Sequence, residues 1–279
     1  MKVAHKQAIE PSETIRADNG AARLFAAQRK QRVLEIIGQN QSVRVTDLCN
    51  MLQASPASVR RDLQDLQDAG LLTRTHGGAV SNSTAAFEPS LAEKEDHLRS
   101  EKMAIARVAV QLIHEGDTIM LDAGSTTLEI ARLLKQRQGV TVLTNALNIA
   151  LELLSGGIEV TVTGGTLRQK TQSLVGPITE NVLAGLHVDK LFLAANGLDL
   201  KKGLTTPNVI EAQSKRAMIE SAREVVVVAD HSKFGCVTFS QICPFSKVHY
   251  LVTDAAAPVE FVKAVARSGI KVLQPDEQV

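Results

Sequence analysis

Two short stretches of the chain hold side chains whose types and spacing could do chemistry. In Asp122-Ala123-Gly124-Ser125-Thr126-Thr127 a carboxylate, a glycine-permitted turn and three hydroxyls follow one short apolar run and precede an amphipathic one. Such a turn aims backbone amides at one point, the hydroxyls add donors, and the next helix supplies its positive end, which together suit a phosphate. In Ser55-Pro56-Ala57-Ser58-Val59-Arg60-Arg61-Asp62-Leu63, two adjacent arginines stand near the start of a helix, where they and the helix dipole favour a polyanion such as DNA. Taken singly, paired arginines are most often a solvated face, and a glycine-rich segment is most often only a turn. The elements around them decide.

Ser55 is placed to cap a helix that begins at Pro56, where no amide proton is needed. Val59, Leu63 and Leu66 recur on one face, Gly70 stops the helix, and Ser58, Arg60 and Arg61 stay off the apolar stripe. Val33, Leu34, Ile36 and Ile37 predict a helix upstream, and Thr46 is expected to cap a second one carrying Leu48, Cys49, Met51 and Leu52. Three helices with a short Gln53-Ala54-Ser55 turn predict a helix-turn-helix. Leu71 to Thr75, Gly77-Gly78 and Ala79-Val80 add a hairpin, which makes the winged form the expectation. Residues 21–80 carry eight Lys/Arg against five acids, whereas the whole chain has a net charge of only +1, so nucleic-acid contact is expected in this part alone. Asp62, Asp65 and Asp68 leave the cations at the amino end of the third helix.

From about residue 100 helices alternate with apolar runs: Thr118–Leu121, Val140–Leu143, Glu159–Thr163, Leu191–Ala194, Val225–Ala229 and Tyr250–Thr253, with amphipathic segments such as Met103–Ile113 and Leu128–Leu134 between them. That alternation predicts an α/β domain with a mainly parallel sheet, whose ligands bind beyond the carboxyl ends of the strands. Small and polar residues follow five successive strands: Asp122 to Thr127, Asn145, Gly164-Gly165-Thr166, Asn196-Gly197, and Asp230 to Gly235. They describe one polar rim suited to a phosphorylated small molecule. Lys215 or Lys233 would complete charge neutralisation, and Asp122 and Asn145 would suit sugar hydroxyls.

Composition excludes several classes. The chain of 279 residues is 44% hydrophobic, long enough for two domains, and only 3% aromatic with no Trp, which argues against reading single strands by stacking. It has neither GxGxxG after a strand nor GxxxxGK[ST], no GxSxG around Ser125 and no paired histidines, so no dinucleotide cofactor, P-loop, catalytic residue or metal site is expected. Cys49, Cys236 and Cys243 lack metal spacing and read as reduced structural thiols. Met1 to Gln7 has no apolar signal core and no run reaches membrane-spanning length, so a cytoplasmic chain without membrane contact is expected. The organisation expected is a flexible tail at 1–23, a winged helix-turn-helix at 24–80, a linker at 81–90 and a ligand-sensing domain at 91–279.

These motifs resemble the DeoR family of bacterial transcription regulators from about residue 23 onward. The similarity runs through Val45-Thr46-Asp47-Leu48, Ser55, Val59 to Leu63, Leu66, Gly70 and His76-Gly77-Gly78-Ala79 in the first part. In the second it runs through Leu121 to Thr127, Thr144-Asn145, Gly164-Gly165, Val175-Gly176, Gly203 to Thr206, Glu211-Ala212, Lys215-Arg216-Ala217 and Asp230 to Gly235. The resemblance implies a repressor of a carbohydrate catabolic operon, released from double-stranded operator DNA by a phosphorylated sugar or related metabolite, and a homo-oligomer, dimer or tetramer. It implies a DNA surface of Thr46, Ser55, Ser58, Arg60, Arg61, Arg74, His76 and Gly77. It also implies an effector site of Asp122, Gly124, Ser125, Thr126, Thr127, Asn145, Gly164, Gly165, Asn196, Thr205, Glu211, Lys215, Asp230 and Lys233. The family's sensor domain is similar in fold to ribose-5-phosphate isomerase, so an isomerase-like enzyme is one alternative and a ligand-dependent activator another. Gly203-Leu204-Thr205-Thr206-Pro207-Asn208 before Glu211 lacks the lysine and glycine run of such isomerases, which argues against an enzyme. Ser125 replaces the usual threonine and keeps its hydroxyl, Asn196 replaces a common aspartate and loses its charge, and Ala54 and Ser58 depart from the commoner Val and Thr.

Overall fold

The computed structural model describes residues 26–275 apart from 41, 69–70, 76, 82–87 and 89. The expected tail at 1–23, the stop at Gly70, His76 and most of the linker lie outside the described residues.

The N-terminal module follows from three amphipathic helices that can bury their apolar stripes only against one another. These are α1 (Ala26–Asn40), α2 (Val45–Leu52) and α3 (Pro56–Asp68), which close around Val33, Ile37, Leu48, Val59 and Leu63. Strands β1 (Ser42–Arg44), β2 (Leu72–Thr75) and β3 (Gly78–Ser81) form an antiparallel wing in the order β1-β3-β2. The β2–β3 hairpin is the one read from the sequence, whereas β1 is too short to show a two-residue alternation. Thr46 does not cap α2, contrary to expectation: Arg44 holds the cap position, and Thr46 lies inside the helix. A side-chain cap is dispensable there because the chain passes from β1 straight into α2 and the Val45 amide donates to the Gly77 carbonyl at 2.8 Å.

The larger domain opens with α4 (Leu91–Asp96), started by a capping box between Ser90 and Glu93, and α5 (Arg99–Ala109). The apolar stripe Met103–Ile113 thus starts inside α5 and ends beyond it, in a tighter turn at Val110–Leu112. There follow β4 (Thr118–Leu121), α6 (Ser125–Leu134), β5 (Thr141–Thr144), α7 (Leu147–Leu153), β6 (Glu159–Val162), β7 (Thr166–Arg168), β8 (Ser173–Val175) and α8 (Pro177–Ala184). The chain continues through β9 (Val188–Leu193), β10 (Gly197–Asp199), β11 (Gly203–Thr206), α9 (Val209–Glu220), β12 (Ala222–Val228), β13 (Ser240–Cys243), β14 (Tyr250–Val252), α10 (Val259–Arg267) and β15 (Lys271–Leu273).

Seven of these strands make one sheet in the order β15-β14-β12-β9-β4-β5-β6, with every neighbouring pair parallel. Runs such as Val225 to Val228 are buried on both faces, as a sheet covered on each side requires. One face packs on α5, α6 and α7 through Ile105, Ile130 and Ile149, the other on α8, α9 and α10 through Leu183, Met218 and Val265. Edge strand β15, the β7–β8 hairpin and the antiparallel β10-β11-β13 sheet have no counterpart in the sequence reading. Parallel strands end on one edge, so Asp122, Asn145, Asn196 and Asp230 come to a common rim.

Gly78 is where β3 meets β1 most closely, since a Cβ there would stand 2.0 Å from the Val43 carbonyl oxygen. Gly78→Ala is expected to cost about 1–3 kcal/mol by forcing the wing open. Hydrogen exchange should accelerate at the amides of β1 and β3 while β4, β9 and β12 keep their protection.

Candidate functional site

The amino end of α3, expected from the sequence to meet DNA, is built by its own cap. Ser55 Oγ accepts from the Ser58 amide at 3.2 Å and lies 3.0 Å from the Ser58 hydroxyl. Val59, Asp62, Leu63 and Leu66 form the buried face, which leaves Arg60 and Arg61 exposed on the other. Asp62 is not a competitor for them. It is buried and receives two bonds from the Arg29 guanidinium, with Nη2 to Oδ1 at 3.0 Å, which clamps α3 to α1. Thr46, Ser55 and Gly77 are exposed beside this surface. Arg74 points elsewhere: its guanidinium donates to Gln64, its amide donates to Gln67 Oε1 at 2.7 Å, and the side chain borders a cavity between the wing and the larger domain.

That cavity has a volume of about 850 Å³ and lies over the carboxyl edge of the parallel sheet. Asp122, Gly124, Ser125, Thr126, Asn145, Asn196, Glu211, Lys215, Asp230 and Lys233 line it, so ten residues singled out in the sequence converge there. Thr127, Gly164, Gly165 and Thr205 are outside its lining. Thr127 Oγ1 is turned back to the Gly124 carbonyl at 2.9 Å, and Thr205 Oγ1 accepts from the Thr238 amide at 3.0 Å. The Gly164 carbonyl accepts from Thr179 Oγ1 at 2.6 Å, and a Cβ on Gly165 would collide with that hydroxyl, so Gly165 lets the chain pass close to α8 while Gly164 supplies a left-handed turn, φ 71°.

The centre of the cavity is an ion pair between Lys215 on α9 and Asp122 at the end of β4, both almost fully buried. Lys215 also donates to the Ala194 carbonyl at 3.0 Å, while Asp122 Oδ2 accepts from the Ala194 amide at 3.0 Å. Asp122 Oδ1 is buried with no hydrogen-bond partner among the described residues, and a ligand hydroxyl can supply one. Burial pushes the Asp122 carboxyl up, against the pull of Lys215. Burial acts the same way on Glu211, but Lys215, the Thr171 hydroxyl and Arg168 outweigh it and hold that carboxyl below the usual range. Gly124 lets the turn into α6 pass close to the end of β9, because a Cβ would stand 2.8 Å from that of Ala194.

Sequence reasoning missed the opposite wall. Lys94, His97 and Lys102 come from α4, α5 and the bend between them, ahead of the first strand, where no strand-end rule looks. One signal was present: Lys102 shares the inward spacing of Ile105, Ala106 and Ala109, so a lysine occupies a core stripe. Gln64, Gln67, Asp68 and Arg74 of the N-terminal module complete this wall, and Gln67 Nε2 lies 2.8 Å from His97 Nδ1. Burial, then the positive charge of Lys233, pushes His97 down to about 4, so its ring meets Gln67 uncharged at neutral pH.

A helix-turn-helix whose recognition helix borders a ligand cavity is the layout of a ligand-responsive regulator, and comparison with known proteins gives the same answer. The model of the DeoR-like helix-turn-helix domain matches residues 29–85, and that of the DeoR C-terminal sensor domain matches residues 98–255. The chain belongs to the DeoR family. Among its relatives, the HTH-type transcriptional regulator GlpR of Haloferax volcanii is 38% identical, over 90% of this chain and 98% of that one. The transcriptional repressor AccR of Agrobacterium fabrum is 40% identical, over 81% of this chain and 89% of that one. Ribose 5-phosphate isomerase A from Methanocaldococcus jannaschii is 22% identical over 49% of this chain and 54% of that one, with a TM-score of 0.37. As a DeoR-family member the chain is a DNA-binding transcriptional regulator with a sensor domain. No helix among the described residues is long and apolar enough to cross a membrane.

The Lys215–Asp122 pair gives a direct test of the site. Lys215→Met should destabilise the sensor domain by about 3–5 kcal/mol, because it strands a buried carboxylate. Adding Asp122→Asn should recover most of the loss in chemical denaturation, whereas additive losses would show that the two side chains are independent.

Proposed function

We propose that this regulator is a repressor of a carbohydrate catabolic operon, and that a phosphorylated sugar or related metabolite in the cavity releases it from operator DNA. The observation that carries the reading is the convergence of the α6 start with the Asp122–Lys215 pair. Ser125 and Thr126, at the positive end of α6, offer hydroxyls and amides to a phosphoryl group. Asp122, Asn145 and Glu211 offer acceptors to sugar hydroxyls a short reach away. Repressor and regulator names among the relatives support the sign of the response.

In this reading Arg60 and Arg61 enter the groove with Ser58, while Thr46, Ser55, Gly77 and His76 serve the DNA backbone. Arg74, which was expected to join them, is held at the cavity wall in this arrangement, and its guanidinium becomes free for DNA only when the Gln64 bond opens. The protein acts as a homo-oligomer on repeated half-sites, and its place is the cytoplasm.

Two measurements test the proposal. A thermal-shift screen with phosphorylated sugars, amino sugars and polyols should give hits that Asp122→Ala abolishes and that show no turnover into an isomer. Arg60→Ala should weaken binding to an operator selected from random DNA by about 5- to 150-fold at fixed salt, the loss of about 1–3 kcal/mol expected for one base contact. Turnover of a sugar phosphate would make the domain an enzyme, and unchanged operator binding would remove Arg60 from the interface.

A further inference from the structure

Among the described residues, one lysine of the cavity wall has neither a hydrogen bond nor an ion pair for its ammonium. Lys215 is taken by Asp122 and the Ala194 carbonyl. Lys102 donates to the carbonyls of Lys94 and His97, pinning the α4–α5 bend where Leu98 adopts a left-handed conformation, φ 51°. Lys233 donates to Ser232 Oγ at 3.0 Å and stands 3.9 Å from Asp230 Oδ1. Lys94 also lines the cavity, from α4, yet its ammonium makes no hydrogen bond or ion pair with any described residue.

Both acids whose charge acts on Lys94 are already paired with Arg168, Glu88 through one oxygen only. Glu88 receives Arg168 Nη2 at 2.8 Å, and Glu211 is shared by Arg168, Thr171 at 2.6 Å and Ser173 at 3.1 Å. Burial, with repulsion from Lys233 and Lys215, pushes Lys94 down to about 8 despite the attraction of Glu88 and Glu211. An ammonium held in that position is costly in the empty protein and becomes favourable when an anion arrives.

We propose that Lys94 is a ligand for the phosphoryl group of the effector. This assignment rests on the phosphorylated-effector reading and adds to it a residue outside the strand ends. It also names the route of the response, since α4 is the first helix after the segment expected from the sequence to be a linker, 81–90. An anion drawn to Lys94 acts on the element that ties the sensor to the DNA-binding module. Gln67 and His97 meet at the other end of the same short bend.

The test uses the full chain, inorganic phosphate as probe and sodium chloride of equal ionic strength as reference. Phosphate should raise the melting temperature of the wild-type protein. Lys94→Met should melt several degrees higher than wild type in chloride, because it removes a half-buried charge that has no partner among the described residues, and should lose at least half of the phosphate-induced rise. Lys94→Arg, which keeps the charge, should retain the rise. A Lys94→Met variant with a lower melting temperature in chloride, or with an undiminished phosphate response, overturns the assignment. Thr126→Val separates the two readings. If it alone abolishes the response, phosphate binds at the α6 start without Lys94; if Lys94→Met alone does, the α6 start is not the phosphate site. No response in the wild type overturns both.

Discussion

The buried bond between Lys215 and Asp122 is the constraint on which the ligand-binding half of this molecule depends. Asp122 terminates β4, Lys215 rises from α9, and the Ala194 amide and carbonyl at the end of β9 complete the ring. Three elements distant in sequence are thereby fixed at one point of the sheet edge. A buried ion pair contributes little to stability overall, because removing two charges from water offsets their attraction. Its value here is positional: it sets one carboxylate oxygen against protein donors and leaves the other for a ligand.

Around that ring the charges are unequally satisfied, and in the function proposed here that inequality is what a ligand would act on. Asp62 on the DNA side is fully engaged with Arg29, so the recognition helix is rigidly carried by α1 and moves with its module. On the cavity side Lys94 has no partner among the described residues, His97 is kept neutral, and Gln64, Gln67 and Arg74 of the DNA-binding module take part in the wall. A ligand that changes the electrostatics of that wall acts on the surface where the two domains meet. A coupling of about 1–3 kcal/mol between the sites would alter operator affinity about 5- to 150-fold, and two or three polar contacts of this kind are enough to supply it.

Much of this was legible in the sequence. The helix-turn-helix declared itself through Ser55, Pro56 and the Val59–Leu63–Leu66 stripe because caps and periodicity are local. Six of the seven parallel strands were visible as apolar runs, and the rule that ligands sit at strand ends brought eight residues to one cavity, which Glu211 and Lys215 of α9 join. What could not be read was long-range or very short. β1 and β15 have three residues each, too few for a pattern. Gly164 and Gly165 have the composition of a ligand loop, but the first serves a left-handed turn and the second the close passage of α8. Lys94 and Lys102 reach the cavity only through a bend closed by side-chain bonds to backbone carbonyls, and Arg74 faces inward only because Gln64 and Gln67 are there to hold it.

The central claim is that the cavity and the recognition helix are two ends of one equilibrium. Fluorescence-anisotropy titration of a selected operator, with and without a saturating phosphorylated sugar identified by thermal shift, measures that link directly. The account predicts an operator affinity at least five-fold weaker in the presence of the ligand. An affinity that stays the same while the ligand demonstrably occupies the sensor would contradict it.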